Sequence, residues 1–271
     1  MASRGTRPDE QTIRKYLDTA VSVAESAGPI ALRYFRNPVD VEDKSGGKAF
    51  DPVTRADREV ETNIRAELER NFPSHGILGE EEAERESDSR YRWVIDPIDG
   101  TRAFISGVPA WGILLGLTFD QACLVGVMHQ PYLGETFLGS AEGAWLRRSG
   151  KEQAIRTSQT NEIASAIVYC THPSMFENAE DLQKFEQVAK KSRMMRFGGD
   201  CYSYCLLAHG QIDLVIEGSL EPYDIIPLIP IIEGAGGVVT DWRGGDASRG
   251  GLIIAAANPE LHTQALETLN A

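Results

Sequence analysis

The chain predicts a layered α/β fold in two subdomains, and three features of its pattern point there. Two long stretches carry apolar residues at helical spacing, a run of short β-rich segments separated by turn residues follows, and beyond Ser158 helix-like and strand-like patterns alternate. The boundary is placed between residues 157 and 158, giving an N-terminal α+β subdomain over 9–157 and a C-terminal α/β subdomain over 158–271.

Residues 9–36 put Ile13, Leu17, Ala20, Val21, Ala24 and Ala27, then Ile30, Ala31, Tyr34 and Phe35, on one face of a helix bent at Gly28-Pro29 and ended by Asn37-Pro38. Lys44-Ser45-Gly46-Gly47-Lys48 reads as a mobile loop. A second helix is expected from Thr54 to Asn71 on the stripe Val60, Ile64 and Leu68, with Asp57 placed to complete a capping box with Thr54. Ile77-Leu78 is a short strand entering Gly79-Glu80-Glu81, and a charged surface segment runs on to Arg90. Trp93-Val94-Ile95 reads as a buried strand. Segments 111–119, 122–129 and 135–139 form an antiparallel meander, with one further strand at Ala144-Trp145-Leu146. In the second half, strands are expected at 165–171, 194–197, 212–217, 237–240 and 252–257, and helices at 177–192, 200–209, 224–235 and 258–270. Asp224 is placed as the cap of the 224–235 helix, with Pro227 in its first turn and Pro230 bending it.

Composition narrows the function. A chain of 271 residues with 42% hydrophobic and 25% charged residues can bury a substantial core. Its formal net charge of −13 argues against nucleic-acid binding, which needs a surplus of Lys and Arg facing the phosphates. No apolar run is long enough to span a bilayer, and Met1–Pro8 has no signal-peptide core, so no membrane role and a cytoplasmic location are expected. The four cysteines are too scattered for a disulfide scaffold; Cys201 and Cys205 share a helix face and read as core.

The chemistry concentrates in Asp96-Pro97-Ile98-Asp99-Gly100-Thr101. A buried strand ending in Asp-Pro-x-Asp-Gly leaves two carboxylates at its mouth, because proline and glycine stop the ladder and turn the chain. Such oxygens suit a hard cation like Mg²⁺, and a helix start at Gly100-Thr101 supplies N–H groups for a phosphate. An acidic protein handling an anionic substrate draws positive charge from divalent metals. The same turn, taken alone, is also a common Asx-type connection.

Taken with its neighbours, the turn resembles the inositol monophosphatase-like superfamily of Mg²⁺-dependent phosphatases. The matching segments, in the same order, are Asp51-Pro52-Val53-Thr54-Arg55-Ala56-Asp57, Gly79-Glu80-Glu81, Asp96-Pro97-Ile98-Asp99-Gly100-Thr101 and Tyr223-Asp224, followed by the glycine-rich Glu233–Gly237. The resemblance implies an αβαβα-type layered fold, often dimeric. It implies Glu80, Asp96 and the Ile98 carbonyl as ligands of a first Mg²⁺, and Asp96, Asp99 and Asp224 as ligands of a second. A weaker third ion would lie near Glu80 and the Lys44 loop. Asp57, Thr101 and Glu80 would be catalytic, with the Asp57–Thr101 pair orienting the attacking water. Gly100, Thr101, Asp200, Glu217 and Asp224 would contact the substrate. Tyr223 departs from the usual Trp before the last Asp, as do Ile225-Ile226-Pro227 after it.

Thr101–Gly112, Gly198-Gly199-Asp200-Cys201-Tyr202 and Glu221-Pro222-Tyr223-Asp224 look most like the histidinol-phosphate phosphatase branch. The expected partner is therefore a small phosphorylated metabolite, histidinol phosphate first, whose amine and imidazole call for acceptors such as Asp200 and Glu217. Inositol monophosphatase is the main alternative, and a noncatalytic ion-binding relative is a second.

Overall fold

The computed structural model describes residues 7–38, 40–44 and 52–271; Asp51 and the glycine loop 45–48 lie outside them. Helix α1 (Glu10–Leu32) runs through Pro29, and its N-cap Asp9 accepts the Thr12 N–H at 2.8 Å. A two-stranded ribbon, β1 (Val41–Asp43) and β2 (Pro52–Thr54), leads into α2 (Arg55–Asn71), which opens on the expected Thr54–Asp57 capping box. A seven-stranded sheet follows in sequence order: β3 (Gly76–Gly79), β4 (Tyr91–Asp99), β5 (Gly112–Phe119), β6 (Ala122–Gln130), β7 (Glu135–Ser140), β8 (Gly143–Arg148) and β9 (Lys151–Ala154). Only β3 and β4 pair in parallel; the short helix α3 (Thr101–Ile105) sits between β4 and β5.

The second half supplies β10 (Ile167–Cys170), α4 (Ala179–Lys191), β11 (Met194–Phe197), α5 (Asp200–Ala208) and β12 (Leu214–Leu220). After these come α6 (Pro222–Ile225), α7 (Ile229–Gly234), β13 (Val238–Asp241), β14 (Gly251–Ala256) and α8 (Pro259–Leu269). Its five strands are ordered β11-β10-β12-β14-β13, parallel across β11-β10-β12 and antiparallel beyond.

Side-chain alternation stacks these elements. In β5, Ile113, Leu115 and Leu117 face one core with α1 and α2, while Leu114 faces a second core with α5 and α7. In β14, Ile253 and Ala255 join that second core, while Ile254 and Ala256 face a third with α4 and α8. Five layers result: helices, seven strands, helices, five strands, helices. Both sheets are buried on two faces, which is why their central strands are almost continuously apolar.

One expectation is corrected here. Segment 224–235 is two short helices, and Glu221, not Asp224, occupies the cap position of the first. Asp224 sits three residues in, where its Oδ2 accepts the Glu221 N–H at 2.7 Å. Pro227 lies between the helices and Pro230 falls in the first turn of α7, where a missing N–H is tolerated. The break nests against glycine: Gly116, Gly126 and Gly139 stand directly opposite one another across β5, β6 and β7. A Cβ on Gly126 would lie 1.8 Å from the Pro227 carbonyl oxygen, and one on Gly139 would lie 2.4 Å from Ile231 Cα. That backbone-to-sheet approach sets how deep α6 carries Asp224.

Candidate active site

Strand β4 drives Trp93, Val94 and Ile95 into the core and ends in the acidic turn. Its pairing with β5 breaks between Asp96 and Asp99, so the intervening Pro97-Ile98 bulges and both acids reach the same mouth. Asp96 Oδ1 accepts the Ile98 N–H at 3.0 Å, and Asp99 Oδ2 accepts the Cys201 N–H at 2.7 Å in the first turn of α5. With Asp224, one oxygen from each carboxylate lies within 4.8 Å of the other two.

These acids line a cavity of about 480 Å³ together with Lys44, Glu80, Ile98, Gly100, Thr101, Arg102, Thr171, Met175, Asp200, Ser219, Glu221 and Tyr223. Burial raises Asp96 and Asp224 well above the ordinary carboxylate range, and their mutual repulsion with Asp99 and Glu80 adds to it. Burial also raises Asp99, against the help of its Cys201 hydrogen bonds. Glu80 is pushed up to about 7, first by burial, although Lys44 opposes the shift. The Lys44 ammonium stands 2.9 Å from Glu80 Oε1 and 2.8 Å from Glu81 Oε1, so one positive charge is shared between two carboxylates at the edge of the aspartate triad. Crowded carboxylate oxygens, from a buried Asp96 and the half-buried Asp99 and Asp224, are the donor set a cation such as Mg²⁺ requires.

Asp57 serves two functions at once. Its Oδ2 accepts the Thr54 N–H at 2.8 Å and the Thr54 hydroxyl at 2.6 Å, completing the capping box. Its Oδ1 lies 3.5 Å from Thr101 Oγ1, which is also 3.1 Å from the Ile98 carbonyl. Burial raises Asp57 to about 6.

Gly100, at φ +82°, turns the chain into α3 in a conformation that favours glycine. A Cβ there would lie 3.0 Å from Asp200 Cβ, which puts the Asp200 carboxyl directly over the turn. Asp200 is pushed up to about 8 by burial and by Asp99 and Glu217. Glu217 stands elsewhere than expected. It is 2% exposed, it does not reach the cavity wall, and its oxygens accept the Thr171 N–H at 2.8 Å and the Tyr204 hydroxyl at 2.9 Å. It supports Thr171 and α5 from behind. Sequence reading missed Thr171, Met175, Ser219 and Glu221 in the wall, since nothing in their local pattern marks loops that meet only when the two sheets stack.

Fold and site together define a layered α/β protein with a cation-ready carboxylate cluster beside a tight helix-start turn. A sequence profile of the inositol monophosphatase family matches residues 12–271. The chloroplastic bifunctional phosphatase IMPL2 of Arabidopsis thaliana is 36% identical over 291 aligned positions, covering 99% of this chain and 82% of that protein. A histidinol-phosphatase of Chlorobaculum parvum is 34% identical, covering 89% of this chain and 92% of its own. Among solved structures, an inositol monophosphatase from Zymomonas mobilis superposes with a TM-score of 0.83 at 35% identity, covering 98% of this chain and 100% of that one. The chain belongs to the inositol monophosphatase family, whose members are Mg²⁺-dependent phosphatases. Among the described residues no helix is long and apolar enough to cross a membrane.

Proposed function

We propose that the chain hydrolyses a small phosphomonoester and that its preferred substrate is L-histidinol phosphate. The observation that carries the substrate reading is Asp200, a mostly buried carboxyl held over Gly100 at the edge of the cavity. A cationic amine beside it would recover the ionised form that burial disfavours, whereas a polyol offers no such charge. The similarity to a histidinol-phosphatase agrees with this. Inositol monophosphate is the second reading, supported by the similarity to the Zymomonas mobilis protein.

In this reading Asp96, Asp99 and Asp224, with Glu80 and the Ile98 carbonyl, hold Mg²⁺. When bound, Mg²⁺ supplies Lewis-acid activation and neutralises charge on the departing oxygen. The N–H groups of Gly100 and Thr101 hold the phosphate. Thr101 Oγ1 directs a water and relays its proton toward Asp57 Oδ1, the carboxylate oxygen that faces it. Asp57 Oδ2 stays with Thr54, which fixes the direction of the free oxygen. The homodimer and the cytoplasmic location expected from the sequence belong to the same reading.

The test is phosphate release from histidinol phosphate, inositol monophosphate and an aryl phosphate, by wild type and Asp200→Ala. The proposal expects histidinol phosphate to be preferred and Asp200→Ala to cut that activity about 30-fold or more, since a buried charged contact is worth on the order of 2–5 kcal/mol. Aryl phosphate hydrolysis should change little. A preference for inositol monophosphate, or an equal loss on all substrates, contradicts the assignment.

A further inference from the structure

Helix α2 carries a polar stripe beside its apolar one. Asp57, Glu61 and Arg65 follow at intervals of four, and all three are buried. Asp57 belongs to the site already described; Glu61 and Arg65 do not touch the cavity. Glu61 is 0% exposed, yet its carboxylate is fully engaged. Its Oε2 accepts the Glu81 N–H at 2.8 Å, and its Oε1 accepts the Glu82 N–H at 3.1 Å and Arg65 Nε at 2.8 Å. Arg65 Nη2 donates to the Glu82 carbonyl at 3.0 Å and closes the ring.

The partner of this pair is the main chain of the turn after β3, which presents Glu80 to the cavity. Gly79 makes room for it: a Cβ there would lie 2.0 Å from Glu61 Oε1. A buried ion pair is a poor way to stabilise a helix against a sheet, because desolvating two charges costs several kcal/mol and an apolar pair of equal volume does as well. An apolar pair could not hold two consecutive amides and a carbonyl at fixed positions. The position of this turn matters to the site because it carries Glu80 into the cavity wall.

We propose that Glu61, braced by Arg65, is a positioning residue that holds the Gly79–Glu82 turn so that Glu80 aims at the cation. The inference rests on reading Glu80 as a cation ligand. Groups behind a ligand commonly control metal affinity by 10- to 100-fold. It differs from a packing role in one respect: Glu61 acts only through Glu80.

The experiment measures Mn²⁺ binding to the full chain, reading free Mn²⁺ by electron paramagnetic resonance, for wild type, Glu80→Gln, Glu61→Gln and the double variant. The proposal expects Glu61→Gln to weaken binding about tenfold or more, and the double variant to bind no more weakly than Glu80→Gln alone. Wild-type affinity in Glu61→Gln, or losses that multiply in the double variant, overturns it. Wild-type affinity in Glu80→Gln instead removes Glu80 from the cation site, a separate failure of the underlying reading. Glu61→Asp keeps the charge beside Arg65 but falls one methylene short of the turn, and should weaken Mn²⁺ in the same way. If both Glu61 variants lose cooperative thermal unfolding without metal, the pair is a folding element and the positioning role is refuted.

Discussion

Asp200→Asn should make the metal-free protein more stable while damaging its function. The side chain keeps its shape, and Asn tolerates the backbone angle of φ +41° that residue 200 adopts. What it removes is a proton linkage. Burial, followed by the charges of Asp99 and Glu217, raises the carboxyl from 3.8 to about 8 in the folded chain. Between those values the folded state binds a proton that the unfolded state has released, so stability falls as pH rises through this window. At pH 7 the wild-type cost from this group is about 4 kcal/mol, from 1.36 kcal/mol per unit over the interval above 3.8. Urea unfolding of chelator-treated protein at pH 5 and pH 8 measures it. Wild type should lose stability between the two, and Asp200→Asn should lose visibly less, with the variant ahead by a few kcal/mol at the higher pH. Equal pH dependence in the two proteins would refute the argument that Asp200 is held against its own ionisation.

Other outcomes follow from the same geometry. Saturating Mg²⁺ should flatten the remaining pH dependence, because Asp96, Asp99 and Asp224 bind a cation as anions and their raised pKa values fall on loading; calorimetric melts with and without the ion check it. Thr101→Ala should lower kcat at least tenfold with little change in KM, and Asp57→Asn should be nonadditive with it, since both act on one water; raised KM alone would return Asp57 to the capping box. Gly126→Ala should cost about 3 kcal/mol or more by forcing the Pro227 carbonyl off the sheet. It should also weaken Mg²⁺ binding by shifting Asp224, which a titration compared with wild type would resolve.

Much of this architecture was legible because its signals are local. The stripe Val60, Ile64 and Leu68 and the apolar runs of β5 to β7 report burial through periodicity alone. The exposed Lys151–Ala154 strand has no alternation to read, so β9 escaped notice. The 224–235 segment reads as one helix because its apolar residues continue across Pro227; Pro227 and Pro230, which lack the N–H groups of a continuous helix, divide it, and Gly126 leaves room for the broken backbone against the sheet. The acids Asp96, Asp99 and Asp224 were visible as element ends, and the structure brings them within reach of one another. The partners of Glu217 are not legible in the sequence, because a strand-end acid looks the same whether it faces a cavity or, as here, a neighbouring amide and Tyr204. Glu61 carried a faint signal, an acid four residues before an arginine beside an apolar stripe, but its partners are backbone groups twenty residues on.

If Asp96, Asp99 and Asp224 hold the cation on which phosphate ester hydrolysis depends, phosphate release against Mg²⁺ concentration for wild type and Asp96→Asn shows it. Wild-type turnover should rise from zero in chelator to saturation, while Asp96→Asn, folded and cooperative in its melt, should stay inactive at every concentration. Turnover in chelator, or a wild-type rate in Asp96→Asn, would contradict the account.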